Sequence, residues 1–308
     1  MTVAQNTVTP AMLRARIVGS EQTPRLGLSA ADSEIILRLG GHVGSEIECY
    51  SVLGRAMEQA RAHIRMAEQA GRTAAGGTVI LADCLAGSKG RFTRNWHAPI
   101  GGIWGCLLLP DGLLDRARML LPLTLGMACC EMVREQGISQ AAVRWVNDVL
   151  VDGRKLAGFL VEGYRAPLSG ENWFLLGFGI NVNNTTFPAE LSASAVSLSQ
   201  LLGRSLDLPA LTASFLARLA WNIGLLLYQE QQDLMVLPDD SGPACHLVLD
   251  RWRSLSDTLG RRVLYGYNVE QQPQYRARVV DIRPDGALVM RLDDGHCLTE
   301  YSGEVRYC

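Results

Sequence analysis

AAVRWVNDVLVDGRKLAGFLVEGY, residues 141–164, is two apolar runs hinged on Asp152-Gly153. An Asp-Gly pair between apolar runs favours a two-residue turn with positive φ, so the stretch predicts strand, tight turn, strand. Its polar residues are few: Arg144, Asn147, Asp148, Arg154 and Lys155. Two readings of Asn147-Asp148 are open. Either they form a bulge or a local Asx turn, or they offer oxygen donors to a magnesium ion that also touches substrate phosphates. Lys155 is likewise either a surface lysine with its stem along apolar neighbours or a compact cation aimed into the cleft that the sheet forms.

Next outward, NWFLLGFGINVNN at 172–184 predicts a strand from Trp173 to Phe178, with Gly179-Ile180-Asn181 as a turn at the sheet end. Asn181 there reads an adenine edge or caps the following turn. On the other side, GSKGRFTRNWHAPIGGIWG at 87–105 follows the buried strand TVILADCL and leads into a second strand, Ile103 to Leu109. It sets Lys89, Arg91 and Arg94 among Gly87, Gly90, Gly101 and Gly102, with Trp96 and Trp104 interleaved. Glycines let a backbone approach a ligand closely, guanidinium forks grip phosphate or carboxylate oxygens, and an indole face covers a flat ring or a cation. An anion-binding loop and a solvated basic loop packed on its tryptophans both fit. The stretch matches neither the P-loop nor the dinucleotide pattern.

The flanks predict a loosely structured lead-in at 1–28, a short helix from Ser29, and a helix over Ser45 to Gly71 with Met57, Ala60, Ile64 and Ala67 on one face. A turn is expected at Pro110-Asp111-Gly112, then an apolar helix over 113–136 kinked at Pro122, and a helix from Pro209 to about Gln232 capped by Asp207. A Pro- and Asp-rich link at 237–243 precedes short alternating strands around Pro284-Asp285-Gly286 and Asp294-Gly295. The chain of 308 residues is 48% hydrophobic and 19% charged, with a net charge of −2, which excludes a global electrostatic pull toward nucleic acid or an acidic membrane. Charge interrupts the apolar runs, so no membrane span is expected, and the first residues do not form a secretory signal. Eight cysteines with no CxxC pair read as buried reduced thiols of a cytoplasmic protein.

Taken together, these blocks resemble the biotin protein ligase family, within the superfamily of biotin and lipoate protein ligases. GSKGRFTRNW is similar to the family's GRGRxGRxW loop, Arg144 to Asp148 to its KWPND block, Arg154 to Glu162 to its RKLAGILVE strand, and Gly177 to Asn183 to its GxGINVN turn. The C-terminal strands resemble the family's small SH3-like β-barrel, including the Gly-Glu-Val pattern at Gly303 to Val305. The resemblance implies an α/β (α+β) fold: a class II aminoacyl-tRNA-synthetase-like biotin/lipoate ligase catalytic domain with a mixed sheet at 29–236, and an SH3-like barrel at 237–308. It also implies the reaction. ATP activates biotin as biotinyl-5′-AMP, which a lysine of a biotin carboxyl carrier protein then takes up.

On this resemblance Lys155, Arg91 and Arg94 are the catalytic cations, Trp96, Arg144, Asn147 and Asn181 bind ATP, and Asp148 helps hold Mg²⁺. Ser51, Lys89, Gly90, Arg91 and Gly158 would bind biotin. The flap is expected to close on ligand. No DNA or membrane binding is expected, because the lead-in leaves no room for the winged helix that some members carry. A homodimer through edge strands is a further expectation. Two departures stand out. Ser51-Val52-Leu53 occupies the place of the family's Ser-Thr-Asn triplet, and Cys84 or Leu85 that of its glutamine, the residues that read the ureido ring. Leaving the ureido edges unpaired weakens recognition, so two alternatives stand beside biotin: the same chemistry on lipoate or another carboxylic acid, and a non-catalytic ligand-binding relative.

Overall fold

The computed structural model describes residues 4–20, 27–235 and 246–308, so the link expected at 237–243, and with it the proposed domain boundary, lies outside the described residues. In chain order the elements are α1 (Pro10–Ser20), α2 (Ala30–Gly40), β1 (Ile47–Leu53), α3 (Ala56–Gln69), β2 (Val79–Leu85), β3 (Ile103–Pro110), α4 (Asp115–Arg118) and α5 (Leu121–Glu135). There follow β4 (Ala142–Arg144), β5 (Asp148–Val151), β6 (Arg154–Arg165), β7 (Asn172–Ile180), α6 (Leu198–Leu202), α7 (Leu208–Met235) and α8 (Leu247–Leu255). The last strands are β8 (Arg262–Gly266), β9 (Tyr275–Ile282), β10 (Leu288–Arg291), β11 (Cys297–Glu300) and β12 (Glu304–Tyr307).

Seven strands form a mixed sheet in the order β1-β2-β3-β7-β6-β5-β4, in which β1 and β2 run parallel and the other pairs antiparallel. Side chains alternate between the faces of a strand. One face, with Val79, Leu81, Leu107, Leu176 and Phe178, packs under α5 and α7, where the Phe178 and Phe215 rings meet at 5.1 Å. The other, with Ile80, Cys106, Leu108 and Leu175, packs under Met57, Ala60 and Ile64 of α3. Apolar residues on both faces give β2, β3 and β7 nearly unbroken hydrophobic runs. The five C-terminal strands form an antiparallel sheet in the order β11-β10-β9-β8-β12. Trp145 Nε1 donates to Gly286 O at 3.0 Å, and Ser256 Oγ to Val143 O at 2.9 Å, which ties that sheet to the edge of the first.

Several expectations change. Residues 47–53 are strand β1, and the helix is confined to Ala56–Gln69, because a parallel ladder with β2 satisfies the backbone of Ile47 to Leu53. Residues 4–20 of the lead-in are not loose: α1 packs on α7 with Val8 and Leu13 buried, and Asp83 accepts from the backbone N–H groups of Gln5 and Asn6. Pro122 opens α5 rather than kinking a longer helix, since its missing N–H matters least in a first turn. Gly179 and Ile180 stay within β7, and the turn follows them. Helix α8 has no counterpart in the sequence reading; it buries Val248, Leu249, Trp252 and Leu255. Helix α7 passes by length and hydropathy (1.5) for a membrane span, yet 89% of its apolar window is buried in the fold. The described cysteines are all free; Cys106, Cys129 and Cys130 are buried as expected, whereas Cys297 and Cys308 are exposed.

Candidate active site

A cleft of about 1130 Å³ opens on the face of the sheet beyond α3. Two glycines paired across β6 and β7, Gly158 and Gly179, form its floor. Trp96 lies on them: a Cβ at Gly179 would come within 2.6 Å of Trp96 Nε1, and one at Gly158 within 2.9 Å of the indole ring. Any side chain at either position would displace the indole. Trp104 supports Trp96 edge-on at 6.4 Å between ring centroids.

Lys155 reaches this floor through a bulge. Asp152 (φ 49°) and Gly153 (φ 77°) form the expected tight turn. Beyond it, Ala157 and Lys155 pair with consecutive residues of β5, Val149 and Leu150, which leaves Leu156 as one extra residue on β6. A bulge reverses the alternation of faces. Lys155 therefore lies on the same face as Gly158, where an added Cβ would come 3.2 Å from the Lys155 Nζ. The ammonium stands 5.3 Å from the Trp96 ring centroid. Its backbone is fixed from the far side, Lys155 N donating to Ser194 O at 2.7 Å and Val196 N to Lys155 O at 3.0 Å.

Asp148 joins the cations. One carboxylate oxygen lies 2.7 Å from Lys155 Nζ and the other 2.6 Å from Arg144 Nη2. Burial pushes the Asp148 pKa up, but Lys155 and Arg144 outweigh it and bring it down to about 2. Asn147 is pinned by donating to Phe159 O at 2.6 Å, which leaves its carbonyl oxygen to accept from Arg91 Nη1 at 3.2 Å. Asn181 is buried and accepts from Asn184 Nδ2 at 3.0 Å.

The basic loop folds as a short hairpin, Gly90 N donating to Arg94 O and Trp96 N to Ser88 O, with Lys89 opposite Asn95. The C-terminal sheet holds it. Arg91 donates to Gly303 O at 2.9 Å, Arg94 bonds both Glu304 oxygens at 2.7 and 2.8 Å and Asn268 at 3.0 Å, and Phe92 meets Tyr267 edge-on at 5.8 Å. Burial lowers the Arg91 pKa, against the pull of Asp148 and Glu304.

Lys89, Gly90, Arg91, Arg94, Trp96, Arg144, Asn147, Asp148, Lys155, Gly158 and Asn181 thus line one cleft, while Ser51, on β1, is not among its lining residues. For Mg²⁺ the donor set of the protein itself is sparse. Among the described residues no group of three His, Cys, Asp or Glu is arranged to hold an ion, Asp148 has both oxygens in ion pairs, and Glu304 is taken by Arg94. In this geometry Asp148 holds both Lys155 and Arg144. Sequence reasoning missed Glu304 and Asn268, the grips on the flap, and the wall formed by Phe187, Glu190, Leu191 and Ser194. The Gly303 to Val305 pattern was visible, but its meeting with Arg91 and Arg94 depends on contacts some 210 residues apart in the chain.

The far end of the cleft, beside α3, differs. Ala56, Met57, Leu85 and Leu160 line it, and the Met57 sulfur covers Gly177, where an added Cβ would come within 3.0 Å. Arg55 is the charged residue there, paired with Glu58 at 3.4 Å and Glu162 at 3.7 Å.

Known proteins resemble this chain in sequence and in fold. Residues 66–183 match the model of the biotin/lipoate A/B protein ligase family. The bifunctional ligase/repressor BirA of Bacillus subtilis is 36% identical over 144 residues, 46% of this chain and 44% of that protein. The biotin--[acetyl-CoA-carboxylase] ligase of Paracoccus denitrificans is 34% identical over 116 residues, 35% of this chain and 45% of that protein. The chain thus spans about half the length of the curated relatives it matches. In fold, it is similar to a biotin protein ligase from Aquifex aeolicus solved with biotin and ATP, with TM-score 0.66 at 20% identity, covering 85% of this chain and 98% of that one. Residues 66–183, which hold the flap, the Lys155 strand and the Asn181 turn, are thus similar to the biotin/lipoate A/B protein ligase family, and the fold is shared with a solved biotin protein ligase.

Proposed function

We propose that the protein is an ATP-dependent ligase that activates biotin as biotinyl-5′-AMP and transfers it to a lysine of a biotin carboxyl carrier domain, in the cytoplasm. The observation that carries this reading is the convergence of the Lys155 ammonium and the flap arginine Arg91 on one cleft, Lys155 through Asp148 and Arg91 through Asn147. In the first step the carboxylate attacks the α-phosphorus and pyrophosphate leaves. Two anions must meet, so cations that shield the approach and bind the charge building on phosphorus lower the barrier. Lys155 serves the carboxylate and the α-phosphate, and Arg91 and Arg94 serve the phosphates, Arg94 by exchanging Glu304 for them. Trp96, Asn147 and Asn181 bound the nucleotide. Mg²⁺ enters with ATP as part of the substrate. In the second step the acceptor amine attacks the acyl carbonyl and AMP leaves, while the flap keeps water from the mixed anhydride.

A second reading is favoured by the apolar far end: the same chemistry on lipoate or another carboxylic acid. Ala56, Met57, Leu85 and Leu160 offer no hydrogen bonds from their side chains to a ureido ring. ATP/pyrophosphate exchange with biotin, lipoate and octanoate in parallel tests both. Exchange with biotin alone supports the first and exchange with lipoate or octanoate alone the second; none with any acid, from folded protein, leaves only a non-catalytic binder.

A further inference from the structure

Of the 29 lysines and arginines only two are lysines, Lys89 and Lys155, and both line the cleft. The remaining 27 are arginines. A guanidinium stays protonated and does not attack acyl groups, whereas a lysine amine does so once it sheds its proton. Apart from the α-amino group, the chain therefore presents its two acylatable amines where an acyl adenylate would form, and none elsewhere. They are held differently. Lys155 is paired with Asp148 at 2.7 Å and lies over Trp96. Lys89 is exposed at the base of the flap, opposite Asn95, and among the described residues no carboxylate pairs with it.

We propose that Lys89 is a self-acylation site of this protein, a proposal that rests on the adenylate-forming reading above. The neutral Lys89 amine attacks the acyl carbonyl of the bound adenylate, an amide C–N bond forms, the C–O bond to phosphate breaks, AMP leaves with that electron pair, and the amine proton passes to water. The product amide removes one positive charge from the flap and places an acyl chain at the cleft mouth. With no lysine outside the cleft, modification of lysine is confined to the cleft.

Intact-mass and peptide mapping of the full chain test the proposal, after incubation with ATP, Mg²⁺ and biotin and, in parallel, with synthetic biotinyl-5′-AMP, which bypasses the first step. The expected result is a single acyl increment per chain on Lys89, formed about tenfold faster than on the α-amino group, as proximity in a bound complex requires, and lost in Lys89→Arg. Labelling of the α-amino group or of Lys155 as fast as Lys89 overturns the proposal, as does no adduct from either reagent. An adduct from the synthetic adenylate alone upholds self-acylation and counts against adenylation of biotin. Pyrophosphate exchange on the same sample reports that first step separately.

Discussion

The two ends of the cleft are built on different principles. At the Lys155 end, polar groups are tied to one another: Asp148 to Lys155 and Arg144, Asn147 to Phe159 and Arg91, Arg94 to Glu304. At the α3 end, Met57 packs on Gly177 among apolar neighbours, and the nearby charge, Arg55, is paired with Glu58 and Glu162. Activation chemistry demands charges at set positions, because electrostatic stabilisation depends on groups already oriented where charge develops. Holding an acyl tail demands mainly shape and apolar area. On the proposed function, the charged end specifies the activation step far more sharply than the apolar end specifies the acid.

Replacement of Lys155 should break the contrast outright. Lys155→Ala is expected to lower pyrophosphate exchange about 10³-fold while the thermal midpoint stays near that of the parent, since one preorganised charge contributes on that scale; a change under threefold would show that the charged end is not where chemistry occurs. Asp148→Asn leaves Lys155 in place but unheld. Exchange should fall about 10²-fold, the usual cost of a misplaced reacting group, with the midpoint of a Mg²⁺ titration unchanged, whereas rescue of the rate by excess Mg²⁺ would assign Asp148 to the metal. Arg94→Ala should raise the KM for ATP about tenfold with a smaller effect on kcat, because a charge-assisted contact to phosphate is lost.

Met57→Ala sharpens the other side. It should cost about 2 kcal/mol of unfolding free energy, read by denaturant melts, as buried methionine truncations do, and change the ratio of rates between short and long acids more than the KM for ATP. An equal effect on both would erase the distinction between the ends. The smallest effect is on pH. Asp148 has its pKa depressed to about 2, so its stabilisation is complete above the ordinary aspartate range and is lost only as pH falls through about 2. Near the α3 end His63 has its pKa raised, first by the hydrogen bond to Glu48 at 2.8 Å. That contribution is complete below the ordinary histidine range and is lost as pH rises through the raised value. A thermal midpoint of His63→Gln that differs from the parent more at pH 5.5 than at pH 8.5 is the expected outcome; equal differences would remove His63 as the source.

Much of this was legible in the amino-acid order. Asp152-Gly153 announced its turn, the arginine and glycine pattern its flap, and the spacing of Met57, Ala60, Ile64 and Ala67 the buried face of α3. Local pattern failed at Ile47–Leu53, where pairing with β2 overrode a helical reading, and at Leu247–Leu255, a short helix whose apolar face has meaning only against α5 and α7.

By itself the sequence determined which chemical groups this protein has and which short segments carry them, because turns, caps and hydrophobic periodicity act over a few residues. Tertiary structure alone decided that Leu156 is the extra residue that turns Lys155 onto the glycine floor, and that Gly303, Glu304 and Asn268 grip the flap. A β-bulge is fixed by the pairing of two strands, and a contact between distant segments by the packing of two sheets, and neither is encoded in the residues on one side alone.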